Sequence, residues 1–203
     1  MKIIPEPAKR RLVLLQRLLS TYTEKTITSQ KIQELGLWSA SVARRDISLL
    51  ELNCGDAKGY KVDELRSAII SVLSLKTEEK KCCIVGLGRL GQVLLDSKDL
   101  FNSTFKIVAG FDSSVNRTEV IRSSFPLHTT TSLEKVIQEE GISYAILSTP
   151  KEEAQLMADK LALSGIKGIV NFTPCVLTLP SSVKVENASL LTCLEMLTAT
   201  VTS

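Results

Sequence analysis

Lys81-Cys82-Cys83-Ile84-Val85-Gly86-Leu87-Gly88-Arg89-Leu90-Gly91 is the stretch whose reading decides the fold. A short apolar strand ends in Gly-x-Gly-x-x-Gly, and a helical pattern from Gln92 to Leu95 follows. In that grammar Gly86 permits the tight turn after the strand. Gly88 lets backbone N–H groups approach a pyrophosphate, and Gly91 lets helix and sheet pack closely. The opening turn of the helix, through Arg89 and Leu90, supplies unpaired N–H donors and partial positive charge for phosphates. Alone, such a motif is weak. Its weight comes from its position, behind a long segment that is not α/β.

Downstream, strands are predicted at 81–86, 105–111, 143–148 and 167–172, and helices near 89–97, 132–140, 151–164 and in the C-terminal tail. Alternation of this kind implies a parallel sheet wound on both faces. Ligands of such sheets bind beyond the C-terminal ends of the strands. This chain places there Gly86 to Gly91, Asp112, Thr149-Pro150 and Asn171-Phe172-Thr173-Pro174. Asp112 stands about where a carboxylate accepts hydrogen bonds from an adenosine ribose, which favours NAD(H) over its 2′-phosphorylated form; nearby Arg117 weighs the other way. The candidate cofactor residues are thus Gly86, Leu87, Gly88, Arg89, Leu90, Gly91, Asp112, Arg117, Thr149, Pro150, Asn171, Thr173 and Pro174.

Upstream, Leu12, Leu15, Leu18 and Leu19 recur at helical spacing and open a helix from about Ala8 to Ser20. Thr28 or Ser29 caps a second helix with Ile32 and Leu35 toward a core, and Gly36 ends it. Ser39 or Ser41 then starts a third helix running to about Leu50. Helix, short glycine-containing turn and helix is the helix-turn-helix layout. On the third helix Val42, Ile47 and Leu50 are expected inward, and Ser41, Arg44, Arg45 and Ser48 outward, residue types suited to phosphates and base edges. A wing-like segment from Gly55 to Val62, including Lys58, and a further helix to Leu75 close the module. Lys76-Thr77-Glu78-Glu79-Lys80 reads as a polar linker.

Length and composition fit two small domains or one ordinary one, at 203 residues, 44% hydrophobic and 23% charged. Lysine and arginine outnumber aspartate and glutamate by 14 to 10 in residues 1–80 and trail 11 to 12 in residues 81–203, so the basic excess sits with the helix-turn-helix. No apolar run approaches the roughly 20 residues of a membrane span, and the opening residues are too poor in apolar side chains for a signal peptide, so a cytoplasmic location is expected. The five cysteines lack metal-ligand spacing and read as reduced, mostly buried thiols, Cys82 and Cys83 pointing to opposite faces of their strand. His128 is the single histidine and reads as a loop residue; no lysine, histidine or tyrosine is placed as an obvious proton donor. A DNA-binding regulator leads, with an NAD-dependent oxidoreductase and a nucleotide- or CoA-binding module that lost DNA binding as the alternatives.

Ala43-Arg44-Arg45-Asp46-Ile47-Ser48, Gly59-Tyr60, Ile84 to Gly91 and Phe111-Asp112 carry a more specific resemblance, as do Ala145 to Pro150, Gly165 to Pro174 and Val185-Glu186-Asn187. In this order they resemble the Rex family of NADH-sensing bacterial repressors, over nearly the whole chain. The resemblance implies a winged-helix DNA-binding domain (1–80), a Rossmann-like NAD(H)-binding domain (81–185) and a C-terminal swapped dimerisation helix (186–203). It also implies a homodimer on palindromic operator DNA that NADH releases. Its site residues are then Ser41, Arg44, Arg45, Ser48 and Lys58 for DNA, with no catalytic residue and no metal. The chain departs from the family pattern at Leu49-Leu50-Glu51, where a Tyr-Phe-Gly stretch is usual, and at Asp56-Ala57, in place of an Arg-Gly wing tip. Ser97 and Ser189 stand where a tyrosine and an aspartate usually pair, and Leu190 where an aromatic packs near the nicotinamide.

Overall fold

Leu12, Leu15 and Leu19 line one side of the first helix, α1 (Glu6–Thr21), and all are buried. The computed structural model describes residues 3–36, 38–51, 55–56, 59–75, 79–97 and 104–201, and the chain divides into two compact units, Met1–Thr77 and Glu78–Ser203. In the first unit α1 is followed by β1 (Thr26–Ile27), α2 (Ser29–Glu34), α3 (Ala40–Ser48), β2 (Gly55–Asp56), β3 (Gly59–Lys61) and α4 (Val62–Val72). Thr28 caps α2 by accepting the Lys31 N–H, and Ser39 caps α3 by accepting the Val42 N–H, so each start follows the hydroxyl-cap rule. The Gln33 side chain accepts the Ala40 N–H at 2.8 Å, which ties the end of α2 to the start of α3. β2 and β3 form the antiparallel wing, and β1, which the sequence reading did not separate, pairs with β3.

Two inward expectations fail in this unit. Leu35 is 42% exposed, because α2 ends at Glu34 and the turn carries Leu35 away from the core. Val42 is only partly buried; Ala40, Ala43, Asp46 and Ile47 form the inner face of α3.

The second unit is a parallel sheet. β4 (Lys80–Val85), α5 (Arg89–Leu95), β5 (Phe105–Asp112), α6 (Val115–Val120) and β6 (Leu127–Thr129) make its first half. After a 3-10 turn come α7 (Leu133–Glu140), β7 (Tyr144–Leu147), α8 (Lys151–Leu163), β8 (Gly168–Asn171), β9 (Lys184–Asn187) and α9 (Leu190–Val201). The strand order is β6-β5-β4-β7-β8-β9, with every pairing parallel. The order reverses between β4 and β7, which is the switch point where doubly wound sheets hold ligands. α6, β6 and β9 were not distinguished in the sequence: each is six residues or fewer and flanked by polar turns.

Side chains alternate across the sheet, as the period of two requires. Cys83, Val85, Ala145 and Leu147 join the core under α7 and α8, whereas Cys82, Ile84 and Ile146 join Leu87, Leu95 and Ile107 on the other face. Burial pushes the Cys82 thiol up to about 11 and raises that of Cys83 further. The expectation of mostly buried thiols fails at Cys193, which is exposed; Cys54 lies outside the described residues. His128 is not in a loop but on the edge strand β6, partly buried with its ring 5.7 Å from that of Phe111. The boundary expected at 185/186 falls inside β9. Among the described residues no helix is long and apolar enough to cross a membrane, and no cluster of metal-ligating side chains occurs.

Candidate functional site

The turn after β4 is built on one glycine conformation and one close approach. Gly86 has φ +97, and a Cβ there would sit 2.6 Å from the Ser148 carbonyl oxygen, so the β4 turn and the end of β7 are in backbone contact. A Cβ on Gly91 would fall on the Gly86 carbonyl oxygen, far inside van der Waals contact. Gly91 therefore lets the start of α5 approach the turn closely, while Leu95 further along the helix packs on the sheet. The Ser148 hydroxyl donates to the same Gly86 carbonyl at 2.8 Å, locking the two strand ends together.

A cleft of ≈ 370 Å³ opens at this switch point, and Gly86, Gly88, Asp112, Arg117, Thr149 and Pro150 are among its walls. These six of the thirteen residues selected from sequence meet there. Gly88 caps α5 without a capping side chain, and a Cβ built on it meets nothing within 4 Å, so the backbone faces open space. Thr149 is 8% exposed, and its Oγ1 is buried with no hydrogen-bond partner among the described residues. An orphaned buried hydroxyl costs about 1–3 kcal/mol. A polar ligand in the cleft would relieve that cost.

The other selected residues serve differently. Leu87 sends its side chain into the core, while its N–H donates to Asp112 Oδ2 at 2.7 Å. Arg89 and Leu90 are exposed on the first turn of α5, outside the cleft walls. Asn171 and Thr173 shape their loop: Asn171 Oδ1 accepts from the Thr173 N–H and hydroxyl, and its amide donates to the Cys175 carbonyl and to Asn187 Oδ1. Pro174 is exposed and off the cleft. The sequence reading missed Ser113, Ser114, Thr130, Ser148 and Glu153 as lining residues. Ser148 was in view as the neighbour of Thr149-Pro150, but nothing in the sequence announced that β6 ends against the cleft with Thr130.

In the first unit Ser41, Arg44, Arg45 and Ser48 are all exposed on α3. Arg44 Nη1 donates to Ser29 Oγ at 3.2 Å, and Ser48 donates to the Arg45 carbonyl at 2.6 Å. Asp46, not selected, faces the opposite way: its side chain is 2% exposed and takes a two-point bond from Arg11 of α1, Nε to Oδ2 and Nη2 to Oδ1, the latter at 2.9 Å. That hydrogen bond raises the Arg11 guanidinium above its ordinary range. Lys58 lies outside the described residues.

Fold and site together define a two-unit protein, a helix-turn-helix with a wing and a doubly wound parallel sheet with a nucleotide-type glycine turn. The family model described as "CoA binding domain" matches residues 77–175. The redox-sensing transcriptional repressor Rex of Oenococcus oeni is 33% identical over 202 residues, covering 96% of this chain and 91% of its own. That of Lactobacillus gasseri is 34% identical over 198 residues, covering 96% and 92%. Among solved structures, RSP, a Rex-family repressor, superposes with a TM-score of 0.85 at 28% identity over 99% of this chain and 95% of its own. RSP has also been solved with β-NADH, and with β-NAD+ and operator DNA, at the same TM-score. The chain belongs to the Rex family of redox-sensing transcriptional repressors.

Proposed function

We propose that this chain represses transcription as a homodimer, binds palindromic operator DNA in the cytoplasm, and holds NAD(H) in the cleft at the β4–β7 switch point. The observation that carries the cofactor assignment is the unpartnered, buried Thr149 hydroxyl beside an open Gly88 backbone in a 370 Å³ cleft. Gly86, Gly88 and Thr149 hold the phosphates and the adjoining sugar, and Gly91 keeps the turn in place. On DNA, Arg44 and Arg45 meet phosphates and base edges from α3, Ser41 and Ser48 add hydroxyl contacts, and Lys58 reaches phosphate from the wing.

The surface of α9 supports dimerisation through it. Leu190, Leu191, Leu194, Met196 and Leu197 are each more than half exposed. An isolated helix of 12 residues is marginal in water, since lengths below about 12–15 do not hold alone. A second copy of this chain supplies the missing cover. NADH releases DNA to the extent that it binds the released form of the dimer more tightly than the DNA-bound form.

Gel-shift titration of the full chain on DNA upstream of its own and neighbouring genes tests the reading. A retarded complex at roughly 0.1 M salt that NADH dissolves and NAD+ preserves is expected. Failure to retard any palindromic site under those conditions removes the repressor reading.

A further inference from the structure

Ser29 is the first residue of α2 and is buried, and its hydroxyl accepts Arg44 Nη1 of α3 at 3.2 Å. Capping does not call for a hydroxyl at this position, because Thr28 already caps α2 by accepting the Lys31 N–H. Among the described residues, Arg44 is the only side-chain hydrogen-bond partner of the Ser29 hydroxyl.

The two arginines of α3 therefore stand differently. At about 3.6 residues per turn, Arg45 projects opposite the buried side of the helix, which Ala40, Ala43, Asp46 and Ile47 form. Arg44 projects from the flank and is tied to α2. Arg45 makes no side-chain hydrogen bond among the described residues; its carbonyl accepts from Ser48. When a helix-turn-helix docks, the second helix enters the major groove and the first crosses the sugar-phosphate backbone. A guanidinium held at the first residue of α2 is thus placed beside the backbone rather than over the base edges. An arginine side chain carries a large rotamer entropy, and a hydrogen bond formed on folding removes part of that cost before DNA arrives.

We propose that Ser29 is a positioning residue that holds Arg44 against the phosphate strand. Arg44 then adds affinity without reading sequence, and the base edges are left to the other exposed side chains of α3. The proposal rests on the operator-binding reading given above and divides the roles within that surface.

Duplexes enriched from a random pool by the wild-type full chain supply the probe, and a base-shuffled duplex of the same length supplies the comparison. Fluorescence anisotropy with both, over a series of salt concentrations, reads the outcome. Arg44→Ala is expected to weaken the two duplexes by factors that agree within about threefold, and to lower the log–log salt slope by about one per subunit. Ser29→Ala is expected to weaken both duplexes in the wild-type background and to change neither in the Arg44→Ala background, whereas a serine that merely packs α2 costs the same in each. An Arg44→Ala loss more than about threefold larger on the enriched duplex overturns the proposal, as does a Ser29→Ala loss of equal size in both backgrounds; either result leaves operator binding standing. Failure of the wild-type chain to enrich any duplex overturns the repressor reading and this proposal with it.

Discussion

Removing Arg11 and removing Asp46 break the same bond, yet the two changes have unequal cost. The Asp46 side chain is 2% exposed and that of Arg11 is 32% exposed. Arg11→Leu strands a carboxylate in the core between α1 and α3, where an uncompensated buried charge costs about 3–5 kcal/mol. Asp46→Ala instead strands an arginine that already reaches water, and loses charge-assisted hydrogen bonds worth about 1.5–3 kcal/mol, at the lower end because the guanidinium rehydrates. The double variant leaves no stranded charge and falls between wild type and Asp46→Ala.

Urea and thermal unfolding followed by the fluorescence of Trp38, the single tryptophan, reports on this unit. For a unit of Met1–Thr77, a loss of about 4 kcal/mol lowers Tm by more than about 15 °C. Equal losses for the two single variants would refute the argument that the buried carboxylate carries the cost.

Gly88→Ala and Gly91→Ala separate ligand contact from packing: the first should leave Tm within about 1–2 °C while weakening dinucleotide binding about tenfold or more, and the second should lower both, measured by calorimetry and thermal scans. At pH 8 a thiol reagent should leave Cys82 and Cys83 unmodified until denaturant is added, since both are held as buried thiols. The same shift predicts stability lost as pH rises from the ordinary thiol value of 9.0 toward 11, where the unfolded chain releases its protons first, and alkaline unfolding curves check it. Glu51 has φ +53, a left-handed conformation that costs a side chain about 1–2 kcal/mol. Glu51→Gly should therefore stabilise by about 0.5–1 kcal/mol after glycine's own entropic cost of similar size is deducted; a destabilised variant would show that the Glu51 side chain makes a compensating contact.

The helices and central strands were legible because each carries a long periodic signal. Leu12, Leu15 and Leu19 recur at helical spacing, and Cys82 to Val85 form an unbroken apolar run of the kind a strand buried on both faces needs. Caps were legible for the same local reason: Thr28 and Ser39 act within three residues of themselves. Short edge elements were not, since β1, with two residues, and β9, whose side chains stay mostly exposed, owe their form to strand partners rather than to pattern. The glycine turn was legible at Gly86 and Gly91 alike, although spacing identifies a close approach without naming the Gly86 carbonyl that Gly91 approaches. Position 51 extends the point. The family's usual glycine there suits a left-handed residue, and this chain keeps the conformation while carrying glutamate.

The two aspartates show where one-dimensional reading stops. Asp46 was assigned to neither face of its helix and Asp112 was read as a ligand acceptor, and both are buried carboxylates held by arginines, one 35 residues away and one five. Their work is the same in each unit. Arg11 and Asp46 tie α3 to α1, which bears on where Arg44 and Arg45 point; the Leu87 N–H, the Ser114 N–H and Arg117 hold Asp112, which ties the glycine turn to the β5–α6 end of the cleft. A buried charge satisfied from several directions tolerates little displacement of any donor, because each lost bond exposes the desolvation cost of the acid. The exposed face of α3 and the glycine turn are each held by a buried acid, and a substitution at Arg11 should disturb DNA binding without itself touching DNA. Sequence periodicity has no term for such a residue, since its partner is chosen by the fold.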